Sequence, residues 1–158
     1  MIEWKDYKIN IQSELSEFDK ETICKLWNKE YPMQLAFENI DALNTYLNNL
    51  ENKQHILVKN YGNQIVGWFF CFEREKQTWF ATIVNSFYQH QRIGSKLLTL
   101  GKQNFGKLNG WVIDHDRYYK SDGKKYLSPI NFYLRNGFKI DNDRLELPTL
   151  SAVKISSF

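Results

Sequence analysis

The chain has 158 residues, 42% of them hydrophobic and 16% aromatic, which gives one domain with a sizeable core and excludes a disordered chain. Its net charge of +3 is spread without any run of like charge, which argues against nucleic acid as a partner yet suits a ligand carrying phosphates. No stretch approaches the ~20 apolar residues of a membrane span, and the first residues form no signal run. With Cys24 and Cys71 far apart and no His cluster, the reading is a soluble cytoplasmic protein with core thiols and no metal site.

Tyr7, Ile9 and Ile11 alternate with polar residues, the period of a half-buried strand. Ser16 then starts a helix whose apolar face is Ile23, Leu26 and Trp27 and which Pro32 stops. A second helix carries Ile40, Leu43, Leu47 and Leu50 on one side, with Asn39 or Asp41 as its cap. Between them lies Tyr31–Phe37, rich in large side chains. The period then changes: His55–Lys59 and Gln64–Glu73 read as strands joined by Asn60-Tyr61-Gly62-Asn63. Gly67–Phe72 is apolar on both faces, as a central strand must be. Trp79–Val84 is the third strand of this meander.

That third strand runs through a short polar loop into a helix over Ile93–Phe105, with Ile93, Leu97 and Leu100 at helical spacing. Free N–H groups in the first turn, at the positive end of the helix dipole, suit an anion such as a diphosphate. Gly94 lets the backbone come close to that anion. The same stretch also reads as an ordinary loop before a core helix. Gly110–Asp114 follows as a strand, parallel to the one before the helix because the connection is a helical crossover. His115–Leu127 is a polar loop with tyrosines and lysines. Ser128 as N-cap and Pro129 at the first position open a short helix that closes at Gly137. Phe138–Asp141 and Ala152–Ser156 are the last strands.

Two of these stretches resemble a known family. Gln89-His90-Gln91-Arg92-Ile93-Gly94, with Val84 ahead, resembles the cofactor loop of the GNAT superfamily of N-acetyltransferases, although Arg92 stands where the first glycine of the pattern falls. Ile130–Phe138 resembles the superfamily's late helix, with Tyr133, Gly137 and Phe138 on matching positions, Pro129 in place of the usual Ala and Tyr126 where many members carry an Asn. The order of elements also matches. The resemblance implies a single GNAT-like domain over 1–158, an α/β (α+β) fold. Its central sheet is mixed and mostly antiparallel, with six to seven strands and four flanking helices, and one parallel pair splays at the cofactor site.

It also implies an acetyl-CoA-dependent acyltransferase acting on a primary amine of a small molecule or peptide. Backbone groups at Ile83, Val84 and Asn85 would bind the pantetheine arm. The loop Gln89, His90, Gln91, Arg92, Ile93, Gly94 and Ser95 would hold the diphosphate; Arg92 weakens that hold if its position needs a glycine backbone, and adds guanidinium charge beside the phosphates if it tolerates a side chain. Tyr133 would contact the cofactor and act as general acid on the departing thiolate. No carboxylate falls within Trp79–Val84, so Glu73, Asp114, His115 and Asp116 are the candidates for a general base. Two alternatives stand beside this: a catalytically weak acyl-CoA-binding module that works as a sensor or partner-binding protein, and, last, a single-strand nucleic-acid binder using His115–Leu127. A homodimer fits the exposed sheet edges and aromatics that such a fold carries.

Overall fold

The computed structural model describes residues Met1–Phe158. Eight strands form one sheet: β1 (Ile2–Trp4), β2 (Tyr7–Gln12), β3 (Glu51–Asn60), β4 (Ile65–Arg74), β5 (Gln77–Val84), β6 (Asn109–Val112), β7 (Phe138–Leu147) and β8 (Leu150–Ser157), in the order β1-β2-β3-β4-β5-β6-β8-β7. The four helices are α1 (Glu17–Glu30), α2 (Ile40–Asn48), α3 (Ile93–Phe105) and α4 (Ile130–Arg135). The fold class and element order are those read from the sequence. The strand count is higher by the three-residue β1, which pairs with β2 through a turn at Lys5 with φ 53°. Too short to show a period, it had no sequence signal.

Two cores lie on opposite faces of the sheet, because β4 is buried on both. Trp68, Phe70 and Phe72 pack under α1 and α2 with Trp27, Leu43 and Leu47. Phe69 and Cys71 pack under α3 and α4 with Leu97, Leu98 and Tyr133. The close seat of α3 depends on Gly101: a Cβ there would lie 2.6 Å from the Phe69 ring. Leu97 is fully buried, and truncating such a leucine to alanine typically costs about 2–5 kcal/mol. Both cysteines are buried and free, and burial pushes the Cys71 thiol up to about 12, so neither offers a nucleophile.

The caps follow the sequence in two cases and depart from it in a third. Ser16 Oγ accepts from Asp19 N–H at 3.1 Å, and Asn39 Oδ1 accepts from Ala42 N–H at 2.9 Å. At α4 the cap position falls on Pro129, one residue later than expected, while Ser128 Oγ accepts from the Ile130 N–H at 3.3 Å and its hydroxyl donates to the Ile113 carbonyl. The last two strands are also longer than their apolar pattern, since β7 and β8 continue as a hairpin beyond the core, from Arg144↔Val153 to Leu147↔Leu150.

β5 and β6 are the one parallel pair, registered at Trp79↔Asn109 alone. Beyond that point β6 follows β8, with which it pairs from Asn109↔Ser156 to Val112↔Val153, and parts from β5. The Asn109 amide pins the root of the split by donating to the Thr78 carbonyl at 3.2 Å.

Candidate active site

The split leaves the edge of β5 without a strand partner. Asn85 N–H donates to the Val66 carbonyl on β4 at 2.9 Å. Strand alternation turns Ile83 the same way and leaves the backbone groups of Thr82 and Val84 facing the gap. Of the three residues expected to offer backbone groups here, Val84 is so placed. Ile83 contributes its side chain to the cavity wall, and Asn85 is buried, its Oδ1 accepting from Phe87 N–H at 3.0 Å.

The loop that follows is tied down on two sides. Ser86 N–H donates to Glu30 Oε2 at 2.7 Å, fixing the start of the loop to α1. At its end the Gln91 side chain accepts from the Tyr7 hydroxyl, and Lys5 Nζ donates to the Gln91 carbonyl at 3.2 Å. Gln91 is thereby an anchor and does not line the cavity.

The α3 helix begins without a side-chain cap. Arg92 occupies the cap position at φ 66°, ψ 18°, and the first intrahelical bond is Lys96 N–H to the Arg92 carbonyl at 3.0 Å. The N–H groups of Ile93, Gly94 and Ser95 therefore have no helical partner, and the dipole's positive end lies with them. Arg92 keeps the left-handed backbone that a glycine would adopt at small cost. Gly94 has a reason the sequence did not reveal: a Cβ there would meet Phe132 Cζ at 2.8 Å, so the residue makes room for the α4 ring.

All of this opens into one cavity of about 1170 Å³ that reaches both faces of the sheet through the split. Gln89, His90, Arg92, Ile93, Gly94 and Ser95 line it on the α3 side, with Phe132 and Tyr133 from α4. Trp27, Tyr31, Tyr46, Phe70 and Phe72 line it on the α1–α2 side. The 3₁₀ turn Met33–Leu35 and Phe37 close that side, Trp27 Nε1–H donating to the Leu35 carbonyl at 2.8 Å.

Tyr133 lies where β5 and α4 meet, its ring edge-on to Phe80 at 5.8 Å between centroids. Burial, and next the neighbouring Tyr126, push its hydroxyl well above the usual phenol range, so it keeps its proton at neutral pH. Burial does the same to Tyr126, and burial, then Tyr133, Tyr126 and Tyr46, to Tyr31.

The candidate bases are elsewhere. Asp114 accepts from Arg144 through both carboxylate oxygens, at 2.8 and 3.1 Å, and this pairing holds its pKa below the usual range. Glu73 is exposed on β4 and accepts from Asn52 Nδ2 at 2.8 Å. His115 Nδ1 accepts from Arg117 N–H, and Asp116 from Ser128 N–H. None of the four lines the cavity, because each is used to hold a strand end or a turn. The sole carboxylate in the lining is Glu30, which the sequence reading missed: it sits at the end of α1, 56 residues from its Ser86 partner. It is 6% exposed and also pairs with Lys120 Nζ at 3.2 Å.

The architecture matches known structures over nearly the whole chain. A GNAT-family acetyltransferase from Staphylococcus aureus Mu50 aligns at 20% identity and a TM-score of 0.65, covering 95% of this chain and 98% of that one. This chain has the GNAT N-acetyltransferase fold. The PaiA N-acetyltransferase from Thermoplasma acidophilum, in complex with coenzyme A, shares the GNAT fold at 16% identity and a TM-score of 0.65, over 95% and 98% of the two chains. A chimera of the spermidine N-acetyltransferase from Vibrio cholerae aligns at 15% identity and a TM-score of 0.67, over 97% and 95%. No protein-family model matches the chain, and no curated protein matches it in sequence. No helix is long and apolar enough to cross a membrane, and no three His, Cys, Asp or Glu side chains come together as a metal site.

Proposed function

We infer that this protein is an acetyl-CoA-dependent N-acetyltransferase acting on a primary amine of a small molecule or peptide. One observation carries the reading: the sheet's single parallel pair parts after one bridge, beside an uncapped helix N-terminus, and both open into the same cavity. The free N–H groups of α3, with Arg92, suit the CoA diphosphate. The free edge of β5 suits the pantetheine arm as an added half-strand.

The thioester then lies at the split, with Val84 and Thr82 N–H groups as donors to the carbonyl oxygen as it gains charge. One such donor is typically worth about 3 kcal/mol in the transition state. The amine nitrogen bonds to the carbonyl carbon as the C–S bond breaks. Tyr133 holds its proton and gives it to the departing thiolate, and the attacking nitrogen, cationic once the C–N bond has formed, returns a proton to the phenoxide and leaves a neutral amide. Glu30 is committed to Lys120 and to Ser86 N–H, so the amine arrives already neutral.

Thermal unfolding with acetyl-CoA and with desulfo-CoA tests the site directly. At a hundredfold excess over the dissociation constant, a ligand of the folded state adds about 2.7 kcal/mol. Both ligands should stabilise the protein, and acetyl-CoA alone should release thiol when an amine is supplied. Absence of any shift with either ligand would overturn the proposal.

A further inference from the structure

The charges around the cavity are one-sided. Arg74, Arg92, Lys120, Lys125 and Arg135 line it against Glu30, and Glu30 is already satisfied by Lys120, Lys29 and Ser86 N–H. A polycationic amine would therefore find no free acid in the lining to replace the hydration of its further charges.

The α1–α2 side offers aromatic surface instead, and the β4–β5 register puts that surface next to the split. Phe70 pairs with Ala81, the residue before Thr82, and both side chains lie on the face that α1 and α2 cover. Ala81 is the smallest side chain on that face of β5, between Trp79 and Ile83, so the strand leaves room in front of Phe70. One strand spacing of ~4.8 Å and one residue step of ~3.8 Å separate the Phe70 backbone from the free edge at Thr82. Trp27 lies 6.4 Å from Phe70 and 4.8 Å from Phe37 between ring centroids, and Tyr46 stands edge-on to Phe70 at 6.2 Å. The rings are held in advance: Asn28 Nδ2 donates to the Phe37 carbonyl at 2.9 Å, and its Oδ1 accepts from Phe37 N–H at 2.8 Å. A wall fixed in this way spares a ligand the entropy of ordering it.

Tyr31 joins this chamber to the His115–Leu127 loop, its ring edge-on to Trp27 at 4.6 Å and to Tyr126 at 6.4 Å. The hydroxyls of Tyr7, Tyr88 and Tyr118 are hydrogen-bonded within the protein, whereas those of Tyr31, Tyr46 and Tyr126, all in the cavity lining, have no partner there. Burial, then Tyr133, Tyr126 and Tyr46, keep the Tyr31 proton in place, so its hydroxyl lies within electrostatic reach of the proposed acid. Neutral hydroxyls that can both donate and accept complement a neutral amine nitrogen, and they offer nothing to a second cation.

We propose that the acceptor is an arylalkylamine: one primary amine on a short arm, an aromatic ring seated among Trp27, Phe37 and Phe70, no second charge, and the Tyr31 hydroxyl as a partner for the nitrogen. This deepens the acetyltransferase reading and rests on it for the fate of the amine. The transfer is the same: a C–N bond forms, the C–S bond breaks, the thiolate gains a proton and the attacking nitrogen loses one.

Binding, with and without desulfo-CoA, is followed by quenching of tryptophan fluorescence, and turnover with acetyl-CoA by thiol release, for phenethylamine, 3-phenylpropylamine, ethylamine and spermidine. At least one of the two aryl amines should exceed ethylamine, which lacks the ring, by about tenfold or more in kcat/KM, with spermidine no better than ethylamine. Phe37→Ala should bring that ratio within about threefold, chiefly by raising the KM of the aryl amine. Acetyl-CoA should still stabilise this variant, which shows it folded. Tyr31→Phe, which keeps the ring on Trp27, should raise the KM of phenethylamine and ethylamine alike, because both present the same nitrogen. Equal or better turnover of ethylamine or spermidine overturns the proposal, as does an undiminished ring preference in Phe37→Ala, a Tyr31→Phe variant without effect, or turnover of none of the four amines. The two readings fail separately. Stabilisation by acetyl-CoA without a ring preference sinks the acceptor class alone. Ring-dependent binding without acetyl-CoA stabilisation sinks the acetyltransferase alone.

Discussion

The Phe132 ring of α4 rests on Gly94 in the first turn of α3, close enough that a Cβ on Gly94 would lie 2.8 Å from Phe132 Cζ. This contact sets the spacing of the two helices that flank the proposed diphosphate site. Gly94→Ala should cost about 1–3 kcal/mol as the ring is driven aside, and should weaken acetyl-CoA binding. Phe132→Leu in the same chain should restore much of both. A double-mutant cycle read by thermal unfolding checks the coupling; purely additive effects would show that the two residues do not share the space.

Arg92 holds a left-handed backbone, φ 66°, at the cap of α3. Arg92→Gly relieves that conformation but frees the unfolded chain, and the balance should be a gain of about 0.5–1 kcal/mol. Acetyl-CoA should still bind, because the helix N–H groups remain, but with a weaker dependence on salt. Denaturant unfolding and a salt series of dissociation constants measure the two effects.

Tyr133 is the proposed acid. Tyr133→Phe removes one hydroxyl from a buried ring without changing its packing on Phe80 and Phe138. The expected result is a fall of about 10²–10⁴ in kcat, with the KM for acetyl-CoA and the unfolding midpoint little changed. A variant of undiminished kcat would leave the tyrosine a packing residue only.

His55 is 1% exposed on β3, accepts from Trp68 Nε1–H at 3.1 Å and stacks on Trp68 and Phe70. Burial, and next the Lys53 charge, lower its pKa from 6.5 to about 4. The unfolded chain therefore takes up this proton first as pH falls. Stability should drop between pH 6.5 and 4, by about 3 kcal/mol from this residue, and be unaffected by it above pH 6.5. His55→Gln, whose amide oxygen can accept from the indole, should flatten that part of the profile. Unfolding free energies measured across the range provide the comparison.

The sequence by itself determined the layers and the loop that lines the α3 side of the cavity. Apolar runs on both faces of Gly67–Phe72, helical spacing in Ile93–Leu100 and turn residues at Asn60–Asn63 each act through neighbours in the chain, so their consequences were legible. The same holds for the loop Gln89–Ser95, where six residues that line the cavity sit together in sequence.

Tertiary structure alone decided the rest. Glu30 reaches the loop from another helix, Gln91 is taken by Tyr7, and Asp114 is taken by Arg144. A carboxylate's role depends on which donors surround it, and those donors come from strands and helices distant in the chain. The aromatic α1–α2 side of the cavity is of the same kind. It exists because α1 and α2 fold over β4, a contact that no local pattern of residues encodes.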